Sequence, residues 1–142
     1  IRPGVLFSEI NRACQEVLAR GLVDMGVLTI SAEESMQPEV GLHRRWTLHG
    51  VSHHLGLDVH DCAQARKEMY LDAPLREGMV FTVEPGLYIQ PDDELFLAEY
   101  RGIGIRIEDD VVVTADGYRN LSENIPRHPD DIEKWMQRIL IR

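Results

Sequence analysis

His49-Gly50-Val51-Ser52-His53-His54-Leu55-Gly56-Leu57-Asp58-Val59-His60-Asp61 is the stretch from which the rest of the chain is read. Four of the six histidines in the sequence fall inside it, spaced mostly by small and apolar residues and by no lysine. Imidazole both binds a borderline metal and exchanges protons near neutral pH. A solvated loop would be served by almost any polar residue, so clustered imidazoles in apolar surroundings need a chemical reason. Any one of them has a bland explanation: His54 as an exposed residue, for instance, or His49 as a hydrogen-bonded core residue. The four together do not.

Two later stretches supply carboxylates. Phe81-Thr82-Val83-Glu84-Pro85-Gly86-Leu87-Tyr88 sets Glu84 between strand-forming residues and a Pro-Gly turn. Pro85 biases Glu84 toward extended backbone and ends the regular ladder, which suits an acid entering a cavity from a strand end. Ile103-Gly104-Ile105-Arg106-Ile107-Glu108-Asp109-Asp110 alternates strictly. Strand side chains alternate with period two, so the three isoleucines share one face and Gly104, Arg106 and Glu108 the other. On this reading Glu108 is a buried acid held ionised by Arg106, and Gly104 leaves room for something bulky. Taken alone, the strand is equally explained by an ordinary ion pair on a half-exposed face.

A histidine with two glutamates is a mixed nitrogen and oxygen donor set, harder than a cysteine-rich structural zinc site and typical of a hydrolytic centre. Each carboxylate can bridge, so a pair of divalent ions is feasible, activating a water and polarising a scissile carbonyl. A further histidine could hydrogen-bond the oxyanion, a contribution of about 2.7 to 4 kcal/mol.

The surrounding chain reads as one compact domain. Its 142 residues, 44% of them hydrophobic, can bury one sizeable core. A net charge of -9 with no lysine/arginine stripe excludes a nucleic-acid partner from the expectations. No apolar run is long enough to span a bilayer, and the first residues show no signal-peptide pattern. Cys14 and Cys62, far apart, are expected as free thiols in a reducing cytoplasm.

In order, Arg2-Pro3-Gly4 marks a turn. A helix is expected from about Leu6 to Met25, with an apolar stripe of Ile10, Ala13, Cys14, Val17, Leu18, Leu22 and Met25, ended by Gly26. Ser31 to Val40 reads as loop with one helical turn. Arg44 to Val51 and Leu57 to His60 read as strands, and Cys62 to Pro74 as surface loop. Further strands are expected at Met79 to Val83, Leu87 to Gln90, Ile103 to Val113 with a bulge or bend near Asp109-Asp110, and Tyr118 to Leu121. Pro91 to Ala98 is loop and Ala115-Asp116-Gly117 a hairpin-type turn. A last helix, Pro129 to Leu140, opens with Asp130-Asp131 at the positive end of its dipole.

His49 to Asp61, Gly78 to Ile89 and Tyr100 to Asp110 together resemble the C-terminal part of Xaa-Pro aminopeptidases (aminopeptidase P). These belong with prolidase, creatinase and methionine aminopeptidase in the pita-bread fold. Three motifs in the family's order cover nearly the whole chain. The resemblance implies an α+β fold, a curved antiparallel sheet with flanking helices, and the release of the N-terminal residue from peptides with proline in second position. It implies His53, Glu84 and Glu108 as metal ligands, Glu84 also moving the proton between attacking water and leaving nitrogen. His60 would stabilise the tetrahedral intermediate, and His49, Tyr88 and Arg106 would line the pocket for substrate and its proline ring. His54 matches none of these. Two divalent ions are implied, manganese first, with cobalt, zinc or iron as alternatives.

The chain departs from the pattern in offering, before His49, no counterpart of the family's two aspartate ligands. It therefore reads as the C-terminal half of a catalytic domain, inactive in isolation and expected to self-associate through uncovered apolar surface. Cys62-Ala63 also departs, where relatives place a small apolar residue and glycine. Three other functions compete: a prolidase acting on Xaa-Pro dipeptides, a protein-binding relative that has lost its metal, and a mononuclear zinc site of His49, His53 and His60. The binding relatives lose ligands that stand here, and the last reading leaves both glutamates unexplained.

Overall fold

The computed structural model describes residues 1–141. Helix α1 (Phe7–Asp24) and the single turn α2 (Ala32–Ser35) come first. Five strands follow: β1 (Val80–Val83), β2 (Gly86–Tyr88), β3 (Gly104–Arg106), β4 (Asp109–Val113) and β5 (Tyr118–Asn120). Helix α3 (Pro129–Leu140) closes the chain. Short 3-10 turns lie at Leu42–Arg45, Lys67–Met69 and Ala98–Tyr100.

α1 opens with the Glu9 carboxylate accepting the Leu6 N–H at 3.4 Å and ends before Gly26, whose φ of 72° only glycine adopts at low cost. It ties two cores together. Phe7 and Ile10 pack with Leu75, Phe81, Val111 and Val113, while Leu22 packs with Leu28, Trp46, Ile89 and Phe96. Its buried face is therefore Phe7, Ile10, Gln15, Ala19 and Leu22, whereas Ala13, Val17 and Met25 of the expected stripe face outward. Packing against two separate clusters, rather than along one straight groove, turns the buried face away from the purely apolar positions.

The strands form two antiparallel sheets, β1-β4-β5 and β2-β3. β1 faces β4 with Val80 opposite Val112 and Val83 opposite Asp109; β2 faces β3 with Gly86 opposite Arg106 and Tyr88 opposite Gly104. The two registers are continuous. Carrying either across the gap sets Glu84 opposite Glu108 and Pro85 opposite Ile107. The expected strand Ile103 to Val113 is thus two strands in different sheets, broken at Ile107-Glu108 rather than at Asp109-Asp110. Pro85 has no N–H for the ladder, and only a long 3.4 Å bond, Ile107 N–H to Pro85 O, spans the gap. Both glutamates sit in this joint.

Two expected strands are absent. At Arg44 to Val51 the chain instead makes the turn Leu42–Arg45, entered through Gly41 at φ 56° and drawn inward by His43. The Ser35 hydroxyl lies 3.0 Å from both the His43 N–H and its Nδ1. From Trp46 on, the chain follows β1 and β2 through single bonds, Tyr88 N–H to Trp46 O (2.9 Å), Glu84 N–H to Val51 O (2.7 Å) and Thr82 N–H to His53 O (3.0 Å). Only His54 and Phe81 form a bridge there. Leu57 to His60 is a turn, because Asp61 Oδ1 takes the Asp58 N–H (3.3 Å) and local bonding displaces the ladder. Cys62 to Pro74 is irregular apart from the turn at Lys67–Met69. α3 has the expected bounds, with proline in its first turn followed by Asp130 and Asp131, yet none of its described residues is buried.

Candidate metal centre

The histidine stretch and the strand joint meet at His53, Glu84 and Glu108. Each offers one donor atom, and these atoms lie within 4.8 Å of one another. His53 is carried by the segment that runs beside β1: its N–H donates to Thr82 Oγ1 (3.1 Å), and its Nε2 lies 3.2 Å from Glu84 Oε1. Glu84, 7% exposed, also accepts from the Thr82 hydroxyl at 3.1 Å. Thr82 was not singled out by the sequence, although period two already places it on the face of Glu84. Glu108 corrects the expectation of a buried acid: its side chain is 42% exposed. The face toward which it points is left open by the rest of the chain.

Arg106 stands between the two acids, with Nη1 3.7 Å from Glu84 Oε2 and Nε 3.9 Å from Glu108 Oε2. At these lengths it contributes charge rather than hydrogen bonds. Like charges directly opposite on paired strands repel, and one half-exposed guanidinium shared between them offsets this only in part. Two acids and an imidazole nitrogen that converge so closely form a donor set fitted to a divalent cation.

The remaining predicted residues surround this set. The His60 ring lies edge-on to His53 with centroids 4.4 Å apart. His49 Nδ1 lies 2.8 Å from Gly50 O and so carries the proton, leaving Nε2 to accept from the Tyr88 hydroxyl at 2.6 Å. With both its nitrogens engaged, His49 is a poor third ligand for a three-histidine site. The room expected beside Gly104 is filled by Tyr88, since a Cβ at position 104 would come 2.9 Å from its ring. His54, half-buried, packs against the core instead, stacked on Phe7 (4.4 Å) and edge-on to Tyr70 and Phe81, and burial lowers its pKa. A cleft of about 1060 Å³ between α1, α2 and residues 43–50 reaches the site only through His49. The three donors lie outside it.

The class follows from a family match: the profile of Metallopeptidase family M24 matches residues 1–115, and the chain belongs to that family. Within it, the chain is 56% identical to Xaa-Pro aminopeptidase 1 of Streptomyces coelicolor over 96% of its own length and 27% of the relative's. It is 44% identical to the Xaa-Pro aminopeptidase of Escherichia coli, over 95% of this chain and 30% of that one. Aminopeptidase PepP of Pseudomonas aeruginosa superposes with a TM-score of 0.88 at 37% identity, covering all of this chain and 31% of that one. Zinc-substituted Escherichia coli aminopeptidase P in complex with product gives 0.84 at 43% identity, over 95% and 30% of the two chains. The α+β pita-bread fold expected from the motifs is that of these structures. The chain spans less than a third of each of these relatives.

Proposed function

We propose that the protein containing this chain is an Xaa-Pro aminopeptidase, releasing the N-terminal residue from peptides with proline in second position. The observation that carries this is the convergence of one imidazole and two carboxylates from three separate stretches to within 4.8 Å. Names of relatives at 56% and 44% identity agree with it.

In this reading His53, Glu84 and Glu108 would hold two divalent ions together with ligands from outside the chain, manganese being favoured over cobalt, zinc and iron. The chemistry supplied there, once the ions are bound, is a water made nucleophilic near neutral pH and a polarised peptide carbonyl. Everything else falls to the residues. Glu84, oriented by Thr82, takes the proton of the attacking water and returns it to the departing proline nitrogen. The His60 ring, exposed beside His53, donates to the oxyanion of the tetrahedral intermediate. His49 and Tyr88, locked together by their 2.6 Å bond, make a rigid wall for the proline ring, and Arg106 fixes the charge between the acids and faces the peptide. A substrate positioned by rigid groups reaches the attack geometry without an added entropy cost.

The test is release of the first residue from a Xaa-Pro-Xaa peptide by the intact, manganese-loaded protein. Glu84→Gln should abolish it. His60→Ala should lower kcat by about 10² to 10³ while leaving metal content intact, the effect of losing one oxyanion donor. Equal cleavage of peptides with alanine in second position would overturn the specificity, and full activity in Glu84→Gln would overturn the assignment.

A further inference from the structure

The two acids of the joint are not held alike. Glu84 has its N–H on Val51 O at 2.7 Å and Oε1 on the Thr82 hydroxyl. Among the described residues Glu108 has only the distant Arg106. Its direction therefore depends on its backbone, and the fixings of that backbone are on the next residue. The Arg127 guanidinium grips the Asp109 carboxylate as a fork: Nε reaches Oδ1 at 3.1 Å and Oδ2 at 3.0 Å, and Nη2 also bonds Oδ1. Ser122 Oγ donates to Asp109 Oδ1 at 2.6 Å and accepts the Asp110 N–H at 3.1 Å. The other Arg127 N–H groups take the carbonyls of Ser122 (3.2 Å), Glu123 (3.4 Å) and Ile125 (3.3 Å). One side chain thus staples residues 122–127 to the first residue of β4. Both Ser122 and Arg127 lie beyond the stretch that matches the family profile.

We infer that Arg127 is a positioning residue for Glu108: by locking Asp109 it fixes the peptide plane between 108 and 109, and with it the direction in which the Glu108 carboxylate leaves the strand. This rests on the reading of Glu108 as a metal ligand. The fork matters, since lysine brings a point charge that cannot bridge both oxygens and the carbonyls together.

Manganese alone is the probe, titrated calorimetrically into the chelator-stripped intact protein. Arg127→Met is expected to weaken binding at the Glu108-dependent site by about 10- to 100-fold, the usual effect of losing a partner behind a ligand. Arg127→Lys should restore part of it, and Ser122→Ala should move affinity the same way by a smaller factor. A merely structural arginine would lower the melting temperature of the stripped protein and leave manganese affinity unchanged. Glu108→Gln is the reference. Should it bind manganese as the parent does, Glu108 is no ligand and the role of Arg127 falls with it. Should it lose manganese while Arg127→Met and Ser122→Ala keep parental affinity, the positioning role alone is overturned. If Arg127→Met does not fold, Ser122→Ala decides between the same two results.

Discussion

Glu84 and Glu108 stand across a broken strand pair, and removing one of two facing carboxylates has opposite effects with and without metal. In chelator, Glu108→Gln should leave the melting temperature unchanged or slightly raised, because cross-strand repulsion of a few tenths of a kcal/mol is relieved. With manganese present it should lose the metal-dependent rise; a rise equal to the parent's would contradict the ligand role. His43 gives a prediction on pH. Its burial, with Arg44 nearby, holds its pKa below the usual range despite the opposing hydrogen bond to Ser35. A histidine whose folded pKa is depressed adds stability that is complete above about pH 6.5 and lost as pH falls from there through the folded value. The drop in urea midpoint between pH 7.5 and 5.5 should therefore be smaller in His43→Gln than in the parent. The histidine stretch was legible because imidazoles are conspicuous and chemically specific. Thr82 and Arg127 were not, since threonine in a strand and arginine in a loop are ordinary until coordinates show what they touch.

Gly86 and Gly104 explain why β2 and β3 carry Tyr88 where they do. A Cβ at 86 would come 2.5 Å from the Tyr88 hydroxyl, and one at 104 would come 2.9 Å from its ring. Tyr88 thus fills the space that both glycines leave, and this packing aims its hydroxyl at His49. Gly104→Ala should displace the ring, break the 2.6 Å bond to His49 and raise KM more than it lowers kcat, the result expected if Tyr88 walls the proposed proline pocket while the donor set stays. An unchanged KM would remove Tyr88 from the substrate pocket. Period two found β1, β2 and β5 within a residue or two, ran β3 and β4 together as one strand, and capping residues with helical spacing fixed α3. The same reasoning failed at Arg44 to Val51 and Leu57 to His60. There the chain has apolar content but meets β1 and β2 only through isolated bonds, and Ser35 and Asp61 bind the adjoining backbone into turns instead. The break at Ile107-Glu108 was hidden too, because it is dictated by Pro85 on the facing strand.

The whole molecule exposes 9912 Å² of accessible surface, about a third more than the ~7,450 Å² expected of a compact monomer of 16.2 kDa. Exposed apolar side chains cluster in two runs: Ile103, Ile105 and Ile107 alternating on the β3 run, and Ile132, Trp135, Met136 and Ile139 at helical spacing on α3. Such surface is covered in a stable protein or drives association. The 142-residue chain alone should therefore self-associate in light scattering as concentration rises, and should not cleave Xaa-Pro peptides. A concentration-independent monomer, or cleavage by the chain alone, would contradict this. The central claim is spatial, that residues from three distant stretches hold metal at one point. Anomalous diffraction from crystals of the intact protein grown with manganese tests it most directly. The account predicts anomalous density in contact with His53, Glu84 and Glu108. Manganese bound elsewhere, with these three side chains making no contact to it, would contradict the account.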